Sequence, residues 1–338
     1  MTHLEKTQIQ MGYIPLLDCV AILWAKERGF FEELGLEVNL VKEASWASLR
    51  DRLAFGFLDA AHCLSAMLPA AALGEDQLGI PLQTALVLSQ NRAFISLSQK
   101  LCFELNISAQ NTVQESAQKI VSALQNQQHI QLAHVFKQSI HHYCLKEWLA
   151  MADIDIAHHL KLTTLPPPYM VEALSNQVID GFCVGEPWNI QGELLGVSQI
   201  VAASQEIIPQ VADKVLAVTT DWATQHPNSH HAIIQAISKA QQELQSLHDY
   251  SAVWHMLIDF NIIQFECSES IHVQKFHAIQ NIIRHFVTDS ADPKVQDFEW
   301  LIQQMMKWDN MHIQPEILQN TAQNCIATFN PPLKDRPE

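Results

Sequence analysis

Histidine and cysteine are the residues of this sequence best suited to bind a metal or attack a substrate, yet neither is spaced for it. The 17 histidines include the pairs 141/142, 158/159 and 230/231, which fall on separate segments. Neighbours on a helix point about 100° apart, because a turn takes 3.6 residues, so each pair is a poor chelate. No HExxH or CxxC spacing occurs, and no metal centre is expected. The seven cysteines are odd in number and scattered through apolar runs, which suits reduced thiols in a core. Cys183 would need a basic partner to act as a nucleophile, and its strand-like setting reads as core. Neither GxxxxGK[ST] nor GxGxxG is present, and glycines number only 10, so nucleotide chemistry and a bound cofactor are not expected.

The elements that would position any site alternate between strand and helix, the pattern of an α/β protein. IQMGYI (9–14) alternates as a strand, Asp18 reads as a helix N-cap, and Gly29 ends the helix that follows. LEVNL is a second strand. The helix SWASLRDRLAF has Ser45 as N-cap and Gly56 as its stop, and the strand AAHCL comes next. Similar units recur from Leu105 to Ile200, including IQLAHVF, the helix SIHHYCLKEWLAM and the strand VIDGFCV, so two βα sets are joined near LSQNRAFISLS. Beyond Asp221 the pattern is helical, clearest in SHHAIIQAISKAQQELQSL, with Pro227 and Ser229 as punctuation. The expected organisation is a first lobe from residues 1–91 and 214–330, a second from 92–213, and a loose tail at 331–338.

Composition narrows the function. At 338 residues with 48% hydrophobic and 17% charged, the chain can bury a large core. A formal net charge of −16 repels polyphosphates, so direct nucleic-acid binding is not expected. No run approaches the roughly 20 apolar residues of a membrane helix. The opening MTHLEKTQIQMGYIPLLDCV has Glu5 and Lys6 where an export signal would be cationic and then apolar, and Pro15 and Asp18 break the later apolar run. Read as a whole chain, it predicts a cytoplasmic protein with no membrane partner.

Several blocks, taken in order, resemble one family. The run from MGYIPLLDC through EASWASLRD to AAHCLSAM is similar to the first lobe of the nitrate- and bicarbonate-binding proteins of ABC transporters, the NrtA/CmpA group. HHYCLKEWLA, LPPPYMVEAL and DGFCVGEPWN look like its second lobe, and the resemblance runs from about Leu4 to His312. It implies an α/β, two-lobed, type II periplasmic-binding-protein-like fold with the ligand in the cleft between lobes. The branch it most resembles is the cytoplasmic NasS-type nitrate and nitrite sensors, which pair with an RNA-binding antiterminator of the ANTAR class (NasT-like). That implies a sensor in which anion binding moves the lobes and releases the partner, which must therefore bind the two states differently. One alternative is the solute-binding component of a nitrate, nitrite or bicarbonate transporter. Another is a pyrimidine-precursor synthase on the same fold, whose cysteine-rich iron motif has no counterpart here. An enzyme is not expected.

Nitrate is a planar monoanion with acceptor oxygens and no proton to give, so its site needs converging donors, positive charge and few facing carboxylates. By block-to-block resemblance the ligand residues are Trp46, His141 and Lys214, offering an indole N–H, an imidazole and an ammonium. The bicarbonate binders of the family use an acidic group and calcium near the position of Lys214, so a lysine there implies a bare anion. In VGEPWN, Gly185 and Pro187 shape a turn leaving a strand, Trp188 closes the cleft wall, and Glu186 is held by backbone or a basic partner. Pro166–Pro168 fix an extended wall, with Pro167 near the ligand. FKQS and QNRAFIS replace glycine-bearing family turns, and Arg92 is a candidate replacement charge. In the helical carboxyl-terminal region, Trp254, Trp300 and Trp308 read either as a partner surface or as buried packing.

Overall fold

The computed structural model describes residues 3–268, 270–288 and 290–328; the tail expected at 331–338 lies outside them. Two five-stranded sheets organise these residues. The first contains β1 (Gln8–Tyr13), β2 (Glu37–Lys42), β3 (Ala60–Leu64), β4 (Leu82–Gln90) and β10 (Ala212–Thr219), in the order β2-β1-β3-β10-β4. The second contains β5 (Ala93–Ser98), β6 (Leu132–His134), β7 (Thr163–Thr164), β8 (Gly181–Gly185) and β9 (Ser198–Ala203), in the order β7-β6-β8-β5-β9. Within the first sheet β1 runs parallel to β2 and β3, whereas β10 runs antiparallel to both β3 and β4. A late strand therefore sits beside the sheet's centre, and its residues face those of β3 at close range.

The chain crosses between the sheets twice, after β4 and before β10, and the crossings are tied together. Asn91 N–H donates to Val211 O at 3.0 Å, and Val211 N–H donates back to Asn91 Oδ1 at 2.9 Å. Ala93 N–H donates to Ser204 Oγ at 3.1 Å, and the Gln90 side chain accepts from that of Gln210. β10 belongs to the first sheet from Ala212 onward.

Local rules explain most of the ends. Ser45 caps the helix Trp46–Ala54 by accepting from Ser48 N–H, and Gly56 follows it with φ of 74°. Ser139 caps Ile140–Ala150 in the same way. The three prolines behave differently from the extended wall expected. Only Pro166 is extended, and Pro167 and Pro168 open a 3-10 turn, where a missing N–H leaves no donor unpaired.

The cores do not divide along the sheets. One buried cluster runs from Trp46 and Leu64 of the first sheet's cleft side through Ile95, Trp148 and Phe182 of the second, and includes Leu301 and Met305. The helix carrying those last two, Val295–Trp308, touches the second lobe directly. Lys307 Nζ and Trp308 Nε1 lie 2.7 and 3.2 Å from Glu147 Oε1, and Lys137 pairs with Asp309 at 3.1 Å. Trp254 packs on Phe276, Trp300 edge-on to Tyr143, and Trp308 on His158, so all three tryptophans serve packing. The other buried cluster joins β1 and the helix Val20–Glu27 to the helices between Pro227 and Arg284.

Candidate functional site

The loop leaving β1 turns through a 3-10 segment, Leu17–Cys19, and its middle residue is Asp18. Contrary to the sequence reading, Asp18 is not the N-cap: the following helix starts at Val20, and its N-cap residue is Cys19, without a side-chain cap. Its carboxylate instead enters the protein. Oδ1 lies 2.8 Å from His62 Nε2, and Oδ2 lies 3.1 Å from Lys214 Nζ. Ile14 N–H donates to His62 Nδ1 at 3.4 Å, which makes that nitrogen the acceptor and leaves Nε2 as the N–H facing Asp18.

Lys214 reaches this point from β10, where it pairs with Leu64 of β3 and Ser89 of β4. Its ammonium also lies 2.6 Å from Asp213 Oδ1 and 5.7 Å from the ring centre of Trp46. Trp46 is the first residue of its helix, and its ring lies 5.5 Å from that of His62. The second lobe supplies the opposite side. A Cβ added at Gly185, the last residue of β8, would stand 3.5 Å from Asp18 Oδ2 and 3.9 Å from His141 Nε2. Asp18, His141 and Gly185 therefore meet face to face across the lobes, beside a backbone bond from Leu17 N–H to Glu186 O at 2.8 Å. Arg50 crosses the same gap, its guanidinium 5.7 Å from the ring centre of Phe136.

Asp18 and the groups gathered around it are removed from solvent, with His62, His141 and Lys214 at 0% exposure and Trp46 at 1%. Several are nonetheless unpaired. Among the described residues both ring nitrogens of His141 and the indole N–H of Trp46 lack a hydrogen-bond partner, and the Lys214 ammonium meets its two carboxylates outside hydrogen-bond angles. A buried donor without an acceptor costs about 1–3 kcal/mol, so the His141 and Trp46 donors gathered beside a buried ammonium mark a site for an acceptor-rich ligand.

The electrostatics differ from the acid-poor site expected of a nitrate binder. Burial works against the Lys214 ammonium, but Asp18 and Asp213 outweigh it and raise its pKa. Burial likewise pushes Asp18 up, yet Lys214 and His62 hold it well below the usual carboxylate range. Asp213 is driven to about 6 by burial, which Lys214 only partly offsets and Asp18 reinforces. Burial keeps His62 and His141 neutral, with Lys214 adding to the effect. The single cation thus stands between two carboxylates.

Trp46, His141 and Lys214 are brought together, with Gly185 at their edge. No hydrogen bond, ion pair or ring contact among the described residues ties Pro167 or Arg92 to them. Pro167 is buried against the helix Met170–Ser175, and Arg92 lies at the lobe crossing. Among the described residues Glu186 has no basic partner within salt-bridge distance. Its Oε2 accepts from Ile190 N–H at 3.1 Å, and burial pushes its carboxyl up to about 8. Pro187 precedes the helix Trp188–Leu194, and the buried Trp188 presents an unpaired N–H. Asp18, His62 and Asp213 were missed as site residues. The available signal was a charged or ionisable residue inside an apolar run: PLLDCVAILW, AAHCL and VADKVLAV.

Residues 2–256 match the NMT1-like family. The chain belongs to that family. Among its relatives, the bicarbonate transport ATP-binding protein CmpC of Synechocystis sp. PCC 6803 is 37% identical over 240 residues, which is 70% of this chain and 35% of that protein. The nitrate/nitrite binding protein NrtA of Nostoc sp. PCC 7120 is 33% identical over 245 residues, 70% of this chain and 54% of that one. The chain thus spans about a third to a half of the curated relatives it matches. The crystal structure of the periplasmic nitrate-binding protein NrtA from Synechocystis PCC 6803 superposes with a TM-score of 0.79 at 22% identity, covering 95% of this chain and 86% of that one. The fold is the two-lobed type II fold of periplasmic binding proteins. No helix among the described residues is long and apolar enough to cross a membrane.

Proposed function

We propose that this chain is a solute-binding protein of the nitrate and bicarbonate class, taking a small inorganic oxoanion between its lobes. The observation that carries this is the cluster of buried donors contributed by both lobes: from one the Trp46 N–H, without a hydrogen-bond partner among the described residues, and the ion-paired Lys214, from the other His141, likewise without a partner. An oxoanion would accept from all three at once and close the lobes over itself. The relatives named for binding nitrate, nitrite and bicarbonate support the same class. The chain has no GxxxxGK[ST] loop, so the ATP-binding role in the CmpC name is not carried over. The related proteins are named for binding and transport, and no catalytic role is assigned.

Calorimetric titration with nitrate, nitrite and bicarbonate tests this, run on the wild type and on Lys214→Ala and His141→Ala. Saturable binding of one of the three that both substitutions abolish supports the site. Binding that survives both moves the ligand elsewhere.

The finer reading is a cytoplasmic nitrate or nitrite sensor that sequesters an ANTAR-type, NasT-like antiterminator until the anion binds. Seven buried cysteines without a disulfide among the described residues favour a reducing compartment. Co-purification with such a partner, lost on adding nitrate, supports sensing. Binding of anion with no partner dependence leaves transport.

A further inference from the structure

Lys214 is the cation of the interlobe site, and it is already compensated twice. Its ammonium lies 2.6 Å from Asp213 Oδ1 and 3.1 Å from Asp18 Oδ2, and all three side chains are buried. With both carboxylates ionised the trio carries net negative charge. A bare anion arriving beside Trp46 and His141 would add a second uncompensated charge where no water screens it.

The neighbours give no relief in their present states. The titratable and charged groups around the carboxylates include Lys214 of β10, Cys19 beside Asp18, His62 and Cys63 of β3, Arg50 of Trp46–Ala54, His141 of Ile140–Ala150 and Cys183 of β8. His62 accepts from Ile14 N–H at Nδ1, so its proton is on Nε2, 2.8 Å from Asp18, and burial favours its neutral form. Burial keeps the three thiols protonated. Arg50 is paired with Asp51 at 2.7 Å.

We propose that a proton-free oxoanion such as nitrate enters this site together with one proton, which comes to rest on the Asp213 carboxylate. This rests on the interlobe anion site proposed above. Asp18 has two neighbours at close range, His62 Nε2 at 2.8 Å and Lys214 Nζ at 3.1 Å, whereas among the described residues the Asp213 side chain has Lys214 Nζ at 2.6 Å as its ion-pair partner, so Asp213 is the less supported carboxylate and the one that accepts. Protonation converts Asp213 from a competitor for Lys214 into a neutral neighbour and frees the ammonium to face the ligand. The direction of the Asp213 shift agrees, since burial and Asp18 both favour its neutral form. A proton-bearing anion such as bicarbonate brings its own donor, which can point at a carboxylate without uptake from solution.

The test is calorimetry of the full chain with nitrate and with bicarbonate, at about pH 6 and about pH 8, in two buffers of different ionisation enthalpy. At the higher pH, nitrate binding is expected to take up about one proton, seen as a buffer-dependent heat, and its affinity to fall about tenfold per pH unit above the titration of Asp213. Bicarbonate is expected to bind without that uptake. Asp213→Asn should abolish the buffer dependence and bind nitrate at least about tenfold more tightly than wild type at pH 8. Nitrate binding of equal affinity at both pH values with buffer-independent heat overturns the proton coupling and leaves the anion site standing. Failure of both anions to bind wild type at either pH overturns both. The wild-type buffer comparison decides the matter even where the variant does not fold.

Discussion

Lys214 Nζ and Asp18 Oδ2 lie 3.1 Å apart, one from the antiparallel strand that returns late to the first sheet, the other from the turn that leaves its first parallel strand. The contact exists because β10 inserts beside β3, and it gives the cleft both its positive charge and most of its compensation. Breaking the pair from the lysine side leaves two carboxylates in the interior. Lys214→Ala is expected to lose about 3–5 kcal/mol of stability in chemical denaturation near neutral pH. Adding Asp213→Ala should restore part of that loss, because one uncompensated charge is then removed.

Trp46 tests the donor role apart from the packing role. Trp46→Phe retains a ring against His62 and removes the unpaired indole N–H. Anion affinity measured by calorimetry should fall by about 1–2 kcal/mol, roughly tenfold, with a smaller change in melting temperature than for Trp46→Ala.

Glu186 makes stability depend on pH in a defined direction. Burial raises its carboxyl from 4.5 to about 8, so the folded protein holds a proton that the unfolded chain has released. The stability this contributes is full below the unfolded value and is lost as pH rises through the folded one. Urea denaturation should show stability declining between about pH 5 and about pH 8, with a decline on the order of 5 kcal/mol attributable to this residue over its whole titration. Asp213 has the same sign over a lower window, ending near 6. Glu186→Gln keeps the shape without the titration and should flatten the upper part of the curve. A decline unchanged in that variant would assign it to other groups.

Asn91 is the test of the crossings. Its side chain accepts from Val211 N–H, and its own N–H donates to Val211 O. Asn91→Ala leaves the buried Val211 N–H unpaired and should cost about 1–3 kcal/mol in denaturation. Small-angle scattering should at the same time show a larger radius of gyration in the absence of anion, because the tie between the two crossings is gone.

Much of the fold was legible because strands and helices are written in local patterns. AAHCL, the Ser45 cap and the glycine stops lie where the sequence placed them, since capping and periodicity depend on residues a few positions apart. The prolines at 166–168 were misread because proline fits both an extended wall and the first turn of a helix, and the helix behind them selected the turn. Asp18 was misread for a related reason. Aspartate before a helical run is a good cap by local rules, and only the presence of His62 and Lys214 in space draws its carboxylate away.

The sequence by itself determined the α/β alternation, the apolar core and the absence of phosphate-loop and metal-ligand spacings, and its resemblance to a family pointed to Trp46, His141 and Lys214. Only the tertiary structure decided that those three are buried together and that Asp18 and Asp213 flank the lysine. The physical reason is range. Propensity, capping and periodicity act within a few residues, whereas the charge state of a buried site depends on groups that β10, β3 and the turn after β1 bring within about 3 Å from distant parts of the chain.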